Sequence, residues 1–251
     1  MKICLDYGHT LNGIDSGAVG NGYREQDCTR ELGKLIKSKL EQAGHTVIET
    51  NIDGNVSSIS DSLYKRYKIA NDNKVDLCVS IHFNAGGGTG SEIYTYNAKD
   101  VAGASSILNN LHIVGYQNRG IKSGNGLAMV SKPVATAMLI EVCFIDTKAD
   151  MDRYASQKNL IAEAIAQGID KKTISTASEE SKGYVVTTYL PNAYAGYDGV
   201  DINYVLKYFS GITCYVRGNA KGVWIETQNL PISKCNELKN TLGSWFYSIE
   251  K

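Results

Sequence analysis

The sequence predicts an α/β fold, a twisted, mostly parallel sheet flanked by helices, followed by a small α+β domain of βαββαβ-like order. Three observations predict it. Short apolar runs alternate with segments of helical apolar period, the pattern of strands returning through helices to a parallel sheet. The stretch Lys171-Lys-Thr-Ile-Ser-Thr-Ala-Ser-Glu-Glu-Ser-Lys182 is small, polar and charged, and reads as a linker. Beyond it the composition shifts: residues 173–251 hold 12 of the 22 aromatics, eight of them tyrosine, in under a third of the length. The expected organisation is a first domain over 1–170, a linker over 171–182 and a second domain over 183–251.

The first strand is Lys2-Ile-Cys-Leu-Asp6, followed by Tyr7-Gly-His-Thr10 and a glycine-rich loop to Gly22. A helix from about Glu25 to Ala43 carries Cys28, Leu32, Leu35, Ile36 and Leu40 as one stripe, and Gly44 stops it. His45–Thr50 is the next strand, and a helix from about Ile59 to Asn71 is expected to bury Ile59, Leu63, Tyr67 and Ala70. Leu77–Ile81 is a buried strand that opens into His82-Phe-Asn-Ala85 and three glycines, a flexible edge of the kind where open α/β sheets bind ligands. Ser91–Tyr96 alternates as a strand, Ala104–Val114 as a helix, and Gly126–Val130 is expected to be a short strand. Ala135–Phe144 is a buried strand entered after Pro133, and a helix from about Met151 to Gln167 closes the unit. After the linker come a strand (Tyr184–Leu190), a helix (about Ile202–Phe209), a hairpin (Ile212–Val216 and Val223–Thr227), a helix (about Ser233–Leu242) and a strand (Trp245–Ile249), a split-βαβ order.

With 26 basic and 26 acidic residues, bulk charge gives no basis for nucleic-acid binding, and no apolar run is long enough to span a bilayer. Met1-Lys-Ile-Cys-Leu-Asp6 meets an acid too early for a signal peptide, so synthesis in the cytoplasm is expected. The six cysteines form no Cys-x-x-Cys pair, and Cys4, Cys78 and Cys143 sit in apolar runs as small hydrophobes.

Four polar residues fall at edges of the expected sheet: His9 after the first strand, Glu25 opening the first helix, His82, and Glu141 within Met138-Leu-Ile-Glu-Val-Cys-Phe144. Glu141 stands out, because a carboxylate among apolar neighbours is costly unless it is paired or metal-linked. Two imidazoles and a carboxylate make a three-ligand zinc set with a position left for water, and a second carboxylate can take the water's proton. Spacing alone does not choose between this and separate structural roles, since the chain has no short motif such as His-Glu-x-x-His.

Four motifs occur in a fixed order: Leu5-Asp-Tyr-Gly-His9, Asp15-Ser-Gly-Ala-Val-Gly-Asn-Gly22 with Glu25, Ser80-Ile-His-Phe-Asn-Ala85, and Leu139-Ile-Glu-Val-Cys-Phe144. Together they resemble the type-3 family of zinc-dependent N-acetylmuramoyl-L-alanine amidases over nearly all of residues 1–170. The resemblance implies that His9, Glu25 and His82 hold Zn2+ and that Glu141 is the catalytic carboxylate. It further implies hydrolysis of the muramic acid to L-alanine amide of bacterial peptidoglycan. The chain departs from the family pattern at Tyr7, where proline is usual, at Thr10, where glycine is usual, and at Cys143. Between Tyr96 and Gly126 it has room for an ordinary packing helix only, not for the long helix that blocks the zinc in cell-dividing relatives.

Other polar residues read as bland. Asp27 and Glu31 lie on the same helix as Glu25 but outside the motif; Glu92 could orient a ligand histidine or serve structure; His45 and His112 match no motif; Asn84 and Asn125 are candidate substrate contacts. In the second domain, Tyr184, Tyr189, Tyr194, Tyr197, Tyr215, Trp224, Trp245 and Tyr247 divide between core packing and sugar stacking. The βαββαβ-like order is loosely similar to SPOR-type peptidoglycan-binding modules, and a wall-binding domain, self-associating or not, is expected. An enzyme tethered to such a module resembles a phage endolysin or an autolysin, acting at the wall after release from the cytoplasm. The rivals are a catalytically silent wall-binding protein and a zinc peptidase cutting within the stem peptide.

Overall fold

Strand β1 (Lys2–Tyr7) is buried at every position but the first, because it lies inside a six-stranded sheet of order β4-β1-β5-β8-β6-β7. The other elements of this unit are β2 (Val19–Gly20), β3 (Tyr23–Arg24), α1 (Glu25–Gln42), β4 (Thr46–Glu49), α2 (Ile59–Asp72), β5 (Leu77–Asn84), β6 (Ser91–Thr95), α3 (Ala104–Val114), β7 (Asn118–Ser123), α4 (Ala128–Ser131), β8 (Thr136–Phe144) and α5 (Lys148–Ile169). The computed structural model describes residues 1–54, 56–172, 174, 182–190 and 201–251, and the chain divides into two units, Met1–Thr176 and Ala177–Lys251. Tyr194, Tyr197 and most of the expected linker lie outside the described residues.

Strands β4, β1, β5 and β8 run parallel; β6 enters antiparallel to β8 and pairs in parallel with β7. The sheet is therefore mixed but mostly parallel, with helices on both faces, as expected from the alternation of apolar runs. The period of two along each strand sorts residues between the faces. Ile3, Leu5 and Tyr7 of β1, Leu77, Val79, Ile81 and Phe83 of β5, and Met138, Ile140 and Val142 of β8 join one core with α1, α3 and α5. Leu32, Ile36 and Leu40 of α1 are fully buried in it, each contributing roughly 2 kcal/mol of transfer free energy. Cys4, Cys78 and Ala137, one residue out of phase, join the other core with Ala70 and Met129.

On that second face the strands turn polar toward their carboxyl ends. Asp6 pairs with Ser80, and His82 pairs with Glu141, which pairs in turn with Glu92. The chain leaves β1 for β4 on one side and returns to β5 on the other, so the crevice at their carboxyl ends is a topological switch point.

Three expectations change. Gly126–Val130 is not a strand: Ala128–Ser131 is one helical turn, and the strand is Asn118–Ser123. Its sequence, Asn-Arg-Gly-Ile-Lys-Ser, lacks apolar alternation because it is a half-exposed sheet edge. On α2 the buried seam is Ser62, Arg66 and Ala70, while Ile59 is exposed. Leu63 and Tyr67 pack against the second core as expected, while Arg66 reaches the buried carboxylates of Asp6 and Asp15. The β2–β3 ribbon was also absent from the sequence reading, being only two residues per strand.

The second unit contains β9 (Lys182–Thr187), α6 (Ile202–Leu206), β10 (Cys214–Asn219), β11 (Gly222–Thr227), β12 (Leu230–Pro231), α7 (Ile232–Leu242) and β13 (Phe246–Glu250). Strand order is β10-β11-β9, with β13 on the far side of β9 and every pairing antiparallel. That is the split-βαβ arrangement. Val185 and Ile225 pack with Cys235, Leu238 and Leu242 of α7 on one face.

Candidate active site

His9 follows β1 in the left-handed region, with φ 65°. A non-glycine residue there costs of order 1–2 kcal/mol and persists only when its surroundings enforce it. Here they do. Gly8 N–H donates to Ile81 O at 3.0 Å and Thr10 N–H to Asp15 O at 2.9 Å. Thr10 Oγ1 donates to Asn12 O, and Arg30 donates to His9 O at 2.9 Å. The Thr10 departure thus closes the loop, while Tyr7 packs its ring on Gly33 and donates to Glu49 at 2.8 Å.

Two glycines let the three polar groups converge. A Cβ on Gly8 would stand 2.5 Å from the His82 ring, and one on Gly17 would stand 2.7 Å from the Glu25 carboxylate. Glu25 is the first residue of α1, where the helix dipole favours a carboxylate. It accepts from Ala18 N–H at 2.9 Å and Phe83 N–H at 3.0 Å. Its two oxygens face His9 Nε2 at 3.2 Å and His82 Nδ1 at 3.0 Å. One ligand atom from each of His9, Glu25 and His82 lies within 4.8 Å of the others. Two nitrogens and one oxygen suit a borderline divalent ion such as zinc.

The electrostatics fit a cation at this point. Burial opposes charge on His9, but hydrogen bonds to Asp15 and Glu25 outweigh it and raise the imidazole to about 9. Burial likewise opposes charge on Glu25, yet the two histidines hold its carboxyl far below the usual range. The pocket thus concentrates negative charge, which without a metal a proton on imidazole must balance.

Glu141 stands opposite His82 in register on the neighbouring strand. Its Oε2 is buried without a hydrogen-bond partner among the described residues. Burial, then the carboxylates of Glu25 and Glu92, push it up to about 8. A poised carboxyl with a vacant lone pair beside a metal-ligand set is what a general base requires.

The sequence reading missed the support beneath this cluster. Asp15 Oδ1 meets His9 Nδ1 at 3.1 Å, leaving Nε2 for the site. Asp15 Oδ2 accepts from Ser62 at 2.6 Å and faces Arg66 at 3.5 Å. Fully buried Arg66 grips Asp6 with two donors, at 2.8 and 2.5 Å, and Ser80 and Thr50 donate to the same carboxylate. Asp15 sat in a quoted motif without a role. Arg66 could have been found as a cation at helical spacing from buried Ala70.

The remaining polar residues are accounted for elsewhere. Glu92 does not contact His82; it accepts from Asn84, Tyr94, Arg119 and Lys122. Asp27 pairs with Arg24, Glu31 with Lys158, His45 with Asp170, His112 with Tyr116 O, and Asn125 with Asn97. Asn84 spends its side chain on Glu92 and its own loop. Helix α3 buries Ala104, Ile107, Leu108 and Leu111 in the core shared with α5.

An open α/β sheet with two imidazoles and a carboxylate converging at its switch point, beside a carboxyl whose Oε2 is buried without a partner among the described residues, has the donor set of a metal-assisted hydrolase. The chain belongs to the N-acetylmuramoyl-L-alanine amidase family, whose model matches residues 3–171. It is 29% identical over 220 residues to the sporulation-specific N-acetylmuramoyl-L-alanine amidase of Bacillus subtilis, covering 84% of each chain. It is 34% identical over 180 residues to the endolysin of Bacillus phage SPP1, covering 66% of this chain and 64% of that protein. Among solved structures, the catalytic domain of the CD27L endolysin targeting Clostridia Difficile is similar, with TM-score 0.65 and 28% identity, covering 70% of this chain and 99% of that one.

Proposed function

We propose that this chain hydrolyses the amide between N-acetylmuramic acid and L-alanine in bacterial peptidoglycan, with a zinc ion held by His9, Glu25 and His82. Family membership over residues 3–171 supports the reaction. The observation that carries the site assignment is the convergence of those three ligand atoms beside Glu141 Oε2, which has no partner among the described residues. When bound, zinc would supply a Lewis acid that polarises the scissile carbonyl and acidifies water.

The chain's own residues do the rest. Asp15 holds His9 with Nε2 directed at Glu25, and the Ala18 and Phe83 amides fix the Glu25 carboxylate. Glu141 accepts a proton from the attacking water and returns it to the departing alanine nitrogen. Burial and the nearby Glu25 and Glu92 carboxylates keep its basicity high enough for both transfers. The products are a glycan strand without its peptide and a peptide with a free alanine amino end.

The second unit is read as a wall-binding module that raises the local concentration of enzyme on its polymer. No helix among the described residues is long and apolar enough to cross a membrane. The site of action is the cell wall, whether the chain serves as a phage endolysin or a host autolysin. Mass spectrometry of digested peptidoglycan tests the reaction. Peptides beginning with L-alanine at a new amino end support it, and cuts inside the stem peptide overturn it.

A further inference from the structure

The second unit carries a hollow of about 380 Å³, lined among the described residues by Val186, Thr187, Thr188, Tyr189, Trp224 and Tyr247. We propose that this hollow is a sugar-binding cleft that takes a stretch of the peptidoglycan glycan strand, a reading that rests on the proposed amidase function.

Strand alternation builds the cleft. Val185 of β9 and Ile225 of β11 point into the core with α7, so their neighbours Val186 and Trp224 point to the opposite face. There the rings of Tyr189 and Trp224 meet edge to face at 5.8 Å and 89°, presenting two flat walls at right angles. Both walls are fixed. Asn219 donates to the Tyr189 hydroxyl at 3.1 Å, and the Tyr189 ring packs on Gly222, where a Cβ would stand 3.2 Å away. Trp224 Nε1 donates to Glu226 at 3.0 Å, and Arg217 holds that carboxylate from the other side at 3.0 Å. Tyr247 remains 69% exposed beside them, with no core function to explain an aromatic there.

The chemistry selects the occupant. None of the six lining residues is charged, which disfavours a ligand held mainly through its charge. Rigid aromatic faces with hydroxyls at the edge suit a ligand with apolar C–H faces and equatorial hydroxyls, which is a pyranose ring. The hollow is ligand-sized, while a stable protein interface engages about 20–30 residues on each side, so a second copy of the chain is a poor fit. Of the eight aromatics that the sequence offered, the structure gathers Tyr189, Trp224 and Tyr247. Trp245 packs instead with Tyr204 and Tyr208.

The test uses the full chain and a peptide-free glycan strand of alternating N-acetylglucosamine and N-acetylmuramic acid. That probe lacks the amide, so binding is read apart from hydrolysis. The chain has two tryptophans, and Trp224 reports on the cleft. Glycan should change tryptophan emission saturably, and Trp224→Phe should remove the change. Tyr247→Ala, at an exposed position, should weaken binding by about tenfold or more and leave turnover on soluble muropeptide unchanged. No saturable change, or undiminished affinity in Tyr247→Ala, overturns the cleft. So does a Tyr247→Ala variant that alters self-association in sedimentation and not glycan binding. Loss of muropeptide turnover in the unmodified chain would instead count against the amidase reading, whatever the glycan result.

Discussion

Glu92 and Glu141 stand directly opposite each other across the antiparallel pair β6–β8, and only one of them is satisfied. Glu92 is saturated by Asn84, Tyr94, Arg119 and Lys122, while Glu141 Oε2 has no partner among the described residues. The neutralised neighbour can stay ionised, and its residual charge helps hold Glu141 up near 8. On the proposed mechanism, two like residues on one row take different roles, one structural and one reactive.

Glu141→Gln keeps the side chain's shape and removes the proton acceptor. Turnover should fall by about 10² or more with metal content unchanged. Elemental analysis decides the role, since loss of the metal from the variant would make Glu141 a ligand.

Asp15 acts through His9 Nδ1. Asp15→Asn weakens the anchor that orients the ring, and metal affinity should drop by about 10–100-fold. Competition against a calibrated chelator measures this directly. Wild-type affinity in the variant would confine Asp15 to closing its own loop.

The Asp6–Arg66 pair sets an acid limit to stability. Burial would raise the Asp6 pKa, but the Arg66 guanidinium prevails and holds it at about 2, against about 3.9 in an unfolded chain. A depressed carboxyl stabilises the fold above the unfolded value and loses that contribution as pH falls from about 4 to 2, here about 2 kcal/mol. Asp6→Asn strands a buried guanidinium and should cost about 3–5 kcal/mol at neutral pH, with a flatter acid dependence than the parent. Urea midpoints across that pH range test it, and parallel profiles for the two proteins would count against the pair as the source.

Much of this was legible in the sequence, for identifiable reasons. The parallel strands and α1 announce themselves because both are buried on an apolar stripe. His9 and Glu25 are visible as polar residues at element ends, and His82 and Glu141 as polar residues in or just past apolar strand runs, where the patterning makes them conspicuous. What escaped was polarity buried against polarity. Arg66 lies on the buried face of α2 with Ala70, but a cation among apolar positions does not name its partner, and only the fold reveals Asp6 and Asp15 opposite it. Strand β7 escaped because an edge needs little apolar alternation, and the aromatic cleft because sequence cannot say which tyrosines share a face.

Every proposed catalytic residue lies in the first unit, whose core extends to Ile174, buried and donating its N–H to Asn110. A chain ending at Thr176 should fold and cleave soluble muropeptide at close to the full-length rate. On intact walls it should be slower at low concentration, because tethering is lost. Ending at Lys172 instead removes Ile174 and about 2 kcal/mol of burial. A collapse of soluble turnover in a well-folded chain of 176 residues would show that the second unit shapes the active site.

The convergence of His9, Glu25 and His82 is tested by following metal content and wall lysis on the same preparation. Lysis should vanish as a chelator strips the protein and return with stoichiometric zinc. Undiminished lysis by protein verified to be metal-free would show that these three residues hold no catalytic ion.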